Sequence, residues 1–242
     1  IGLMAHMMVV DPYAWGLMRV ASGMCVAGCY TVIEAWLQAI VTNETRGRAM
    51  GSYRVVDVGA SFVAQFMIGA LADMETYIAY NALTILCCAA IFPLTLTKSE
   101  QPATPSAPRL RPALAWRASP LAVAGVLVAA QSSAAFRMVG PIYGQEVGLQ
   151  ASQIGYFLAA YVAGGALAQY PVGWLADKFD RRWVLIWLSV AAIIACIVTV
   201  ASAGMGTWAV MAAATFFGLT TFPVYSVATA HAHDFISDEE RI

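Results

Sequence analysis

Residues 173–182 read GWLADKFDRR, and this short run of charge lies between two long apolar stretches, 152–172 and 183–201. An α-helix needs about 20 residues to cross a hydrocarbon core of about 30 Å, and each stretch is of that length. Five of the ten residues in the run are charged, so the run must be solvated at a membrane face. The run therefore predicts a tight turn between two membrane helices.

Composition places the whole chain in a membrane. The 242 residues are 60% hydrophobic and only 11% charged, whereas soluble domains carry about 25% charged residues. Lipid offers backbone groups no hydrogen-bond partners, so apolar segments of this length must be helices. We predict an all-α, polytopic membrane protein with one partial and seven complete transmembrane helices. The predicted helices are 1–10, 13–41, 49–72, 77–97, 119–142, 152–176, 183–201 and 206–232.

The basic residues predict the orientation of the chain. When successive loops are assigned to alternate sides, ten of the 13 Lys and Arg residues fall on one side, and the other three lie inside predicted helices. Loops rich in Lys and Arg face the cytoplasm. We therefore expect a multi-pass protein of the cell (inner or plasma) membrane. The loops expected to be cytoplasmic are 43–48, 98–118, 177–182 and 234–242.

The longest connection divides the chain into two parts. Residues 98–118 are rich in Pro, Ala and charge and show no apolar periodicity, which is typical of a linker. The linker separates a predicted helical bundle at 1–97 from a second at 119–242. The bundles resemble each other, since Tyr30 falls on Tyr225 at an offset of 195 residues. Repeated helical units are typical of transporters, whose substrate site lies between the repeats near the bilayer midplane.

The run at 173–182 resembles the signature loop of the major facilitator superfamily, G-x-L-a-D-[RK]-x-G-[RK]-[RK], with Asp180 in place of the usual Gly. The resemblance implies a two-bundle fold, of which this chain would cover the end of the third helix through the tenth. It also implies that the loop clamps the cytoplasmic side shut, with Asp177 facing Arg181 and a helix N-terminus. The alternative is that these charges only solvate a hairpin. The predicted gating residues are Gly173, Asp177, Lys178, Arg181 and Arg182.

Two further stretches carry the resemblance. RVASG at 19–23 resembles the family's fourth-helix pattern R-x-x-Q-G, with Ser in place of Gln, and residues 43–48 and 231–234 resemble a bacterial branch of the superfamily, the YcaD-like transporters. The Gly-Pro pair of drug/proton antiporters is missing from 49–72, which disfavours a drug efflux antiporter. Because the chain begins inside an apolar run and stops after a charged loop, we expect an internal fragment of a longer protein.

Charged residues inside the predicted helices are candidates for function, because Arg or Asp at a helix centre costs about 2.5–3.5 kcal/mol on insertion scales. The two helices that flank residue 44 are antiparallel, so residues at equal depth have numbers that sum to about 88. Glu34 and Arg54 meet this condition, and Asp57 lies one turn beyond Arg54. The pair is either a static ion pair or a proton-coupled one, in which Asp57 competes for the guanidinium or titrates. The candidates for coupling or substrate binding are Arg19, Glu34, Arg54, Asp57, Arg137, Gln131 and Tyr225.

The sequence favours a secondary active transporter that moves a small solute by alternating access and is coupled to protons. A membrane enzyme would need a catalytic motif such as G-x-S-x-G or H-E-x-x-H, and a nucleotide-driven pump would need G-x-x-x-x-G-K-[ST]; the sequence has none of them. A non-transporting sensor or scaffold on the same fold is the alternative, because fold does not fix function.

No cofactor or metal is expected. The five cysteines lie in apolar runs and are predicted to be packing residues. His231 and His233 fall on different helix faces, and together with Asp234 they are expected to be solvated loop residues. The formal net charge of −1 says little, because the charges matter by their location, and nothing in the sequence supports nucleic-acid binding. The expected partners are a small solute, protons and the lipid bilayer, and the expected state is a monomer.

Overall fold

The computed structural model describes residues 5–6, 8–41, 45–72, 74–96 and 112–234 of the chain. Within those ranges we find helices and no strand, so the all-α, polytopic fold predicted from the sequence is confirmed. The helices whose bounds are described are α1 (Pro12–Ile40), α2 (Arg46–Ala72), α3 (Thr76–Ala89), α4 (Phe92–Leu96), α5 (Pro112–Ala118), α6 (Pro120–Glu146), α7 (Ala151–Lys178), α8 (Arg181–Ala201) and α9 (Thr207–His233).

Polar caps fix where two of the long helices begin. Ser119 precedes α6, and its hydroxyl accepts a hydrogen bond from the backbone N–H of Ala122 at 3.2 Å. Pro120 then opens the helix, since its missing N–H would find no partner in the first turn in any case. Asp180 caps α8 by accepting from the backbone N–H of Arg182 at 2.9 Å. The charged run at 173–182 therefore ends α7 and starts α8 within two residues.

Six of the described helices, α1, α2 and α6 to α9, are long and apolar enough to cross a membrane. The predicted helix 77–97 was wrong as a continuous span, because α3 ends at Ala89 and α4 begins at Phe92. Pro93 accounts for the break: it has no N–H to bond the carbonyl of Ala89, and its ring clashes there. Half of the predicted partial span 1–10 lies outside the described residues.

The end of the predicted linker is helical. Residues 98–111 lie outside the described part of the chain, whereas 112–118, PALAWRA, form α5. A proline at the first helical position followed by Ala and Leu favours this short helix.

The described chain falls into two compact units. The first unit holds the described residues of Ile1–Asp57 and Leu71–Ala107, and the second unit holds those of Val58–Ala70 and Pro108–Ile242. The division into bundles at 1–97 and 119–242 stays a prediction.

In the second unit α9 packs against α6, α7 and α8, and its crossing with α7 is the tightest. A Cβ atom added to Gly164 would lie 2.1 Å from the carbonyl oxygen of Thr215, and one added to Gly218 would lie 2.0 Å from that of Tyr161. Small residues let membrane helices approach this closely, where van der Waals packing stabilises their association.

An aromatic cluster joins α6, α7 and α9 next to this crossing. Phe136 stacks on Tyr161, Phe157 and Phe217 with ring centroids 4.1, 5.0 and 5.3 Å apart. Phe157 and Tyr161 are fully buried, and the Tyr161 hydroxyl donates a hydrogen bond to the Ser133 hydroxyl at 3.1 Å. The cluster therefore packs α6, α7 and α9 together within the second unit.

Candidate functional site

A network of charged side chains joins α1 and α2 in the first unit. Arg54 Nη2 lies 3.5 Å from Glu34 Oε1, and Arg54 Nη1 lies 3.9 Å from Asp57 Oδ2. The Tyr30 hydroxyl donates a hydrogen bond of 2.7 Å to the other carboxylate oxygen of Asp57. The residue numbers of the two pairs that bridge the helices sum to 88 and 87, as equal depth requires. The structure thus contains the ion pair predicted between Glu34 and Arg54, and Asp57 shares the guanidinium.

Tyr53 lies beside the network without joining its hydrogen bonds. The Arg54 guanidinium carbon is 5.9 Å from the centroid of the Tyr53 ring. The Tyr53 hydroxyl is buried, and among the described residues it has no hydrogen-bond partner. Only one of the two nearby tyrosines, Tyr30, therefore supplies a hydrogen bond to a carboxylate of the network.

The network lies inside two candidate membrane spans, Pro12–Leu37 and Gly51–Leu71. Glu34 and Arg54 are each ten residues from the turn near residue 44, which is about 15 Å along the helix axis. Within the candidate spans Glu34 lies three residues before Leu37, and Arg54 lies three residues after Gly51, which is about 4.5 Å from the span ends. Two carboxylates and one guanidinium therefore meet inside the spans, near the ends that face the turn at residue 44.

The second unit holds the charged turn at 177–182. Arg181 Nη1 lies 2.5 Å from Asp234 Oδ1 and donates a hydrogen bond to the carbonyl oxygen of Ala230 at 3.0 Å. Its Nη2 lies 3.6 Å from Asp177 Oδ1. The Arg181 side chain is 25% exposed, whereas that of Asp177 is 79% exposed. Arg181 is therefore held mainly by the end of α9 and only loosely by Asp177.

The prediction of solvated loop residues was wrong for His231, whereas Asp234 is exposed and lies just beyond the end of α9. Asp234 forms the shortest ion pair of the turn, because α9 extends to His233 and brings Asp234 over the guanidinium of Arg181. His231 is 4% exposed, since it lies on the packed side of that helix. Together with Asp177 and Arg182, these residues line a cleft of about 500 Å³. Side chains of opposite charge from the ends of α7 and α9 and the start of α8 therefore face one cleft in the second unit.

The other predicted gating residues, Lys178, Arg182 and Gly173, lie in the same run of residues as Arg181. Lys178 Nζ lies 4.8 Å above the ring centroid of Trp174, one turn earlier on α7, in a cation–π contact. Arg182 is exposed in the first turn of α8. Within the described structure no atom comes within 4 Å of the position that a Cβ on Gly173 would take.

The remaining candidates are dispersed along the helices. Arg19 is exposed on α1, fifteen residues before Glu34, or about 22 Å along the axis. In the second unit Arg137 and Gln131 are exposed on α6, and Tyr225 is exposed on α9. We find no hydrogen bond or ion pair that joins these last three side chains to one another in the described part of the chain.

Comparison with known proteins places the chain in a family. The family model of the Major Facilitator Superfamily matches residues 121–242, which are half of the chain. The chain belongs to the major facilitator superfamily. The signature-like run at 173–182 lies inside the matched region, as the resemblance predicted.

Curated superfamily members from enteric bacteria match nearly the whole chain. A protein of Escherichia fergusonii named "Uncharacterized MFS-type transporter YcaD" is 27% identical over 238 residues, which cover 97% of this chain and 60% of the relative. A protein of the same name from Salmonella heidelberg is 29% identical over 227 residues, covering 93% and 58%. "Uncharacterized MFS-type transporter Ent638_1421" of Enterobacter sp. strain 638 is 26% identical over 238 residues, covering 97% and 60%. The predicted resemblance to YcaD-like transporters is confirmed.

This member of the superfamily spans about three fifths of the length of the curated relatives that it matches. No solved structure matches the chain significantly.

Reasoning from the sequence missed two members of these sites. The sequence could have identified Tyr30. The equal-depth rule that pairs Glu34 with Arg54 also pairs Asp57 with the position next to Tyr30. Asp234 gave no such signal. The turn between α8 and α9 centres near residue 204, so equal depth would pair Arg181 with residue 227, whereas Asp234 lies seven residues further along.

Proposed function

We propose that the full-length protein is a secondary active transporter, which moves a small solute by alternating access and is coupled to protons. Membership of the superfamily favours a transporter over a membrane enzyme. The coupling is supported by one observation, the network of Glu34, Arg54 and Asp57 within two candidate spans. Ionisable groups inside membrane spans are costly, and in transporters they mark ion and substrate pathways.

The chemistry of the network suits a proton. With every group ionised, two carboxylates and one guanidinium carry one surplus negative charge. One bound proton removes that charge, so the cost of burying the network depends on its protonation. A conformation that exposes the network to water tolerates the charged form, whereas a closed one favours the protonated form. Proton binding would thereby bias the two conformations of a transport cycle.

We further propose that the clamp around Arg181 holds α7, α8 and α9 together as one moving body on the cytoplasmic side. Alternating access by rigid-body rocking needs bundles that keep their shape. The ion pairs of Arg181 with Asp234 and Asp177 support this role, as does the close crossing of α7 on α9. The bundles would be 1–97 and 119–242, joined by 98–118.

The protein would act as a monomer, and its solute pathway would be lined by polar side chains that are not packed between helices. Arg19, Arg137, Gln131 and Tyr225 are all exposed on membrane-spanning helices. The relatives are named as transporters without a substrate, so a panel of solutes must identify it.

Transport in liposomes tests this proposal. The full-length protein is reconstituted in vesicles that hold a pH-sensitive dye, and solutes are added without nucleotide. We expect one class of solute to move protons across the membrane. Glu34→Gln should retain exchange of that solute but lose proton movement at least about tenfold, because its side chain cannot bind the proton.

Glu75→Gln serves as the matched control. Glu75 is exposed at the start of α3, outside the candidate spans, and its side chain makes no capping hydrogen bond. If no solute moves at all, a sensor or scaffold on the same fold explains the protein better. If Glu34→Gln fails to insert and the double swap Glu34→Arg/Arg54→Glu restores insertion and full coupling, the pair is structural.

A further inference from the structure

A pocket lies between the N-terminal ends of α7 and α9 in the second unit. It measures about 540 Å³, and its lining residues are Gln153, Tyr156, Thr207, Trp208 and Met211. All five belong to the first two turns of their helices. The loops that precede these helices contain no Lys or Arg and are predicted to face away from the cytoplasm. The pocket is therefore expected to open to the outside.

One wall of the pocket is held by close packing. The ring of Tyr156 meets the ring of Phe66 edge to face, with centroids 5.6 Å apart, and Phe66 lies in the part of α2 that belongs to the second unit. A Cβ atom added to Gly155, the neighbour of Tyr156, would lie 2.6 Å from the backbone oxygen of Gln65. The position of Tyr156 is thus fixed by the fold, as in ligand sites that are largely preformed.

Several polar groups of the lining make no hydrogen bond to another group in the described part of the chain. They are the hydroxyls of Tyr156 and Thr207, the indole N–H of Trp208 and the amide N–H groups of Gln153. The carbonyl oxygen of Gln153 accepts a hydrogen bond of 2.9 Å from the backbone N–H of Gln150, so only its N–H groups are available. Thr215, further along α9, donates its hydroxyl to a helix carbonyl four residues earlier. Thr207 opens α9 and has no such helix carbonyl. The lining therefore offers more donors than acceptors.

The lining disfavours charge and favours aromatic rings. None of the five side chains is charged, so a charged solute would lose its hydration without gaining an ionic partner. The rings of Tyr156 and Trp208 are 48% and 84% exposed and can pack on a flat ring. Lipid fits this chemistry less well. Acyl chains accept no hydrogen bond, and the loops before α7 and α9 hold no cation for a headgroup phosphate.

We propose that this pocket is an outer binding site for an uncharged solute that carries an aromatic ring and a hydrogen-bond acceptor. Tyr156 and Trp208 pack on the ring, and Gln153 and Thr207 donate hydrogen bonds to the acceptor. As a stop on a transport route the site rests on the transporter proposed above, whereas binding itself does not.

Thiol labelling of the full-length protein in membrane vesicles tests this site. In a background without native cysteines, Met211→Cys places a thiol in the lining, and Met205→Cys places one in the turn before α9 as the matched control. A membrane-impermeant maleimide added from outside should label both. The probe is benzamide, which is uncharged and has an aromatic ring and a carbonyl acceptor. Millimolar benzamide should slow labelling of Met211→Cys at least about threefold, since so small a ligand binds weakly, and should leave Met205→Cys unchanged.

Two analogues of benzamide separate the ring from the charge. Cyclohexanecarboxamide keeps the amide without an aromatic ring, and benzoate keeps the ring but is negatively charged at neutral pH. Both should protect Met211→Cys less than benzamide does. Trp208→Ala should weaken the binding of benzamide about two- to tenfold, the range expected for one aromatic contact. Trp187→Ala, which changes an exposed tryptophan of α8 outside the lining, should not weaken it.

Each other outcome overturns the proposal. If Met205→Cys reacts and Met211→Cys does not, lipid or another helix of the full-length protein fills the pocket. Labelling of Met211→Cys without protection by benzamide excludes this class of ligand. Equal protection by all three compounds removes the preference for an aromatic ring, and stronger protection by benzoate assigns the pocket to anions. The comparison of compounds is decisive even if Trp208→Ala fails to fold.

Failure of this inference is distinguishable from failure of the proposed function. Protection by benzamide without transport of any solute keeps the binding site and contradicts the transporter. Proton-coupled transport without such protection keeps the transporter and removes the outer site.

Discussion

Arg181 makes its shortest contact with Asp234, so we expect the stability of the turn to depend more on Asp234 than on Asp177. Asp234 is 48% exposed and Asp177 is 79% exposed, so solvent screens the second pair more. We expect Asp234→Asn to lower the free energy of unfolding by about 1 kcal/mol, and Asp177→Asn by less than about 0.5 kcal/mol. Thermal unfolding of the purified protein in detergent measures both. A larger loss for Asp177→Asn would show that the signature-like run holds Arg181 by itself.

Between the helices, the crossing of α7 and α9 has no room for a side chain. A Cβ on Gly164 would lie 2.1 Å from a backbone oxygen, and backbone cannot rotate away as a side chain can. Overpacking of this kind costs about 1–3 kcal/mol, so Gly164→Ala should lower the unfolding temperature clearly. Gly173→Ala is the matched control on the same helix, because no described atom lies within 4 Å of its added Cβ. If both variants unfold alike, the close crossing does not stabilise the second unit.

The same elements show what the sequence could predict. Length and apolarity were enough for the six long spans, because the bilayer fixes both quantities. The turn near residue 44 was enough to pair Glu34 with Arg54, since neighbours in a hairpin share a depth. Pro93 carried a local signal for the break between α3 and α4. The partner of Gly164 was out of reach, because it lies on α9, which is not the next helix after α7. The partner of Arg181 was out of reach, because equal depth across the turn between α8 and α9 points to residue 227 and not to Asp234, seven residues further along.

At the scale of the whole molecule, the alternation of loops with and without Lys and Arg predicts which side each turn faces. Lys178 ends α7 just before α8 begins, and Met205, which is 72% exposed, lies in the turn after α8. The 21 residues of α8 span about 32 Å, enough for a hydrocarbon core of about 30 Å. In a background that lacks the five native cysteines, Lys178→Cys should react with a membrane-impermeant maleimide only from the cytoplasm, and Met205→Cys only from outside. Arg111→Cys, in the predicted linker, should share the side of Lys178→Cys. Intact cells and inverted vesicles give the two directions of access. Labelling of Lys178→Cys and Met205→Cys from the same side would remove α8 from the membrane, and a clean exchange of sides would reverse the orientation that the basic loops predict.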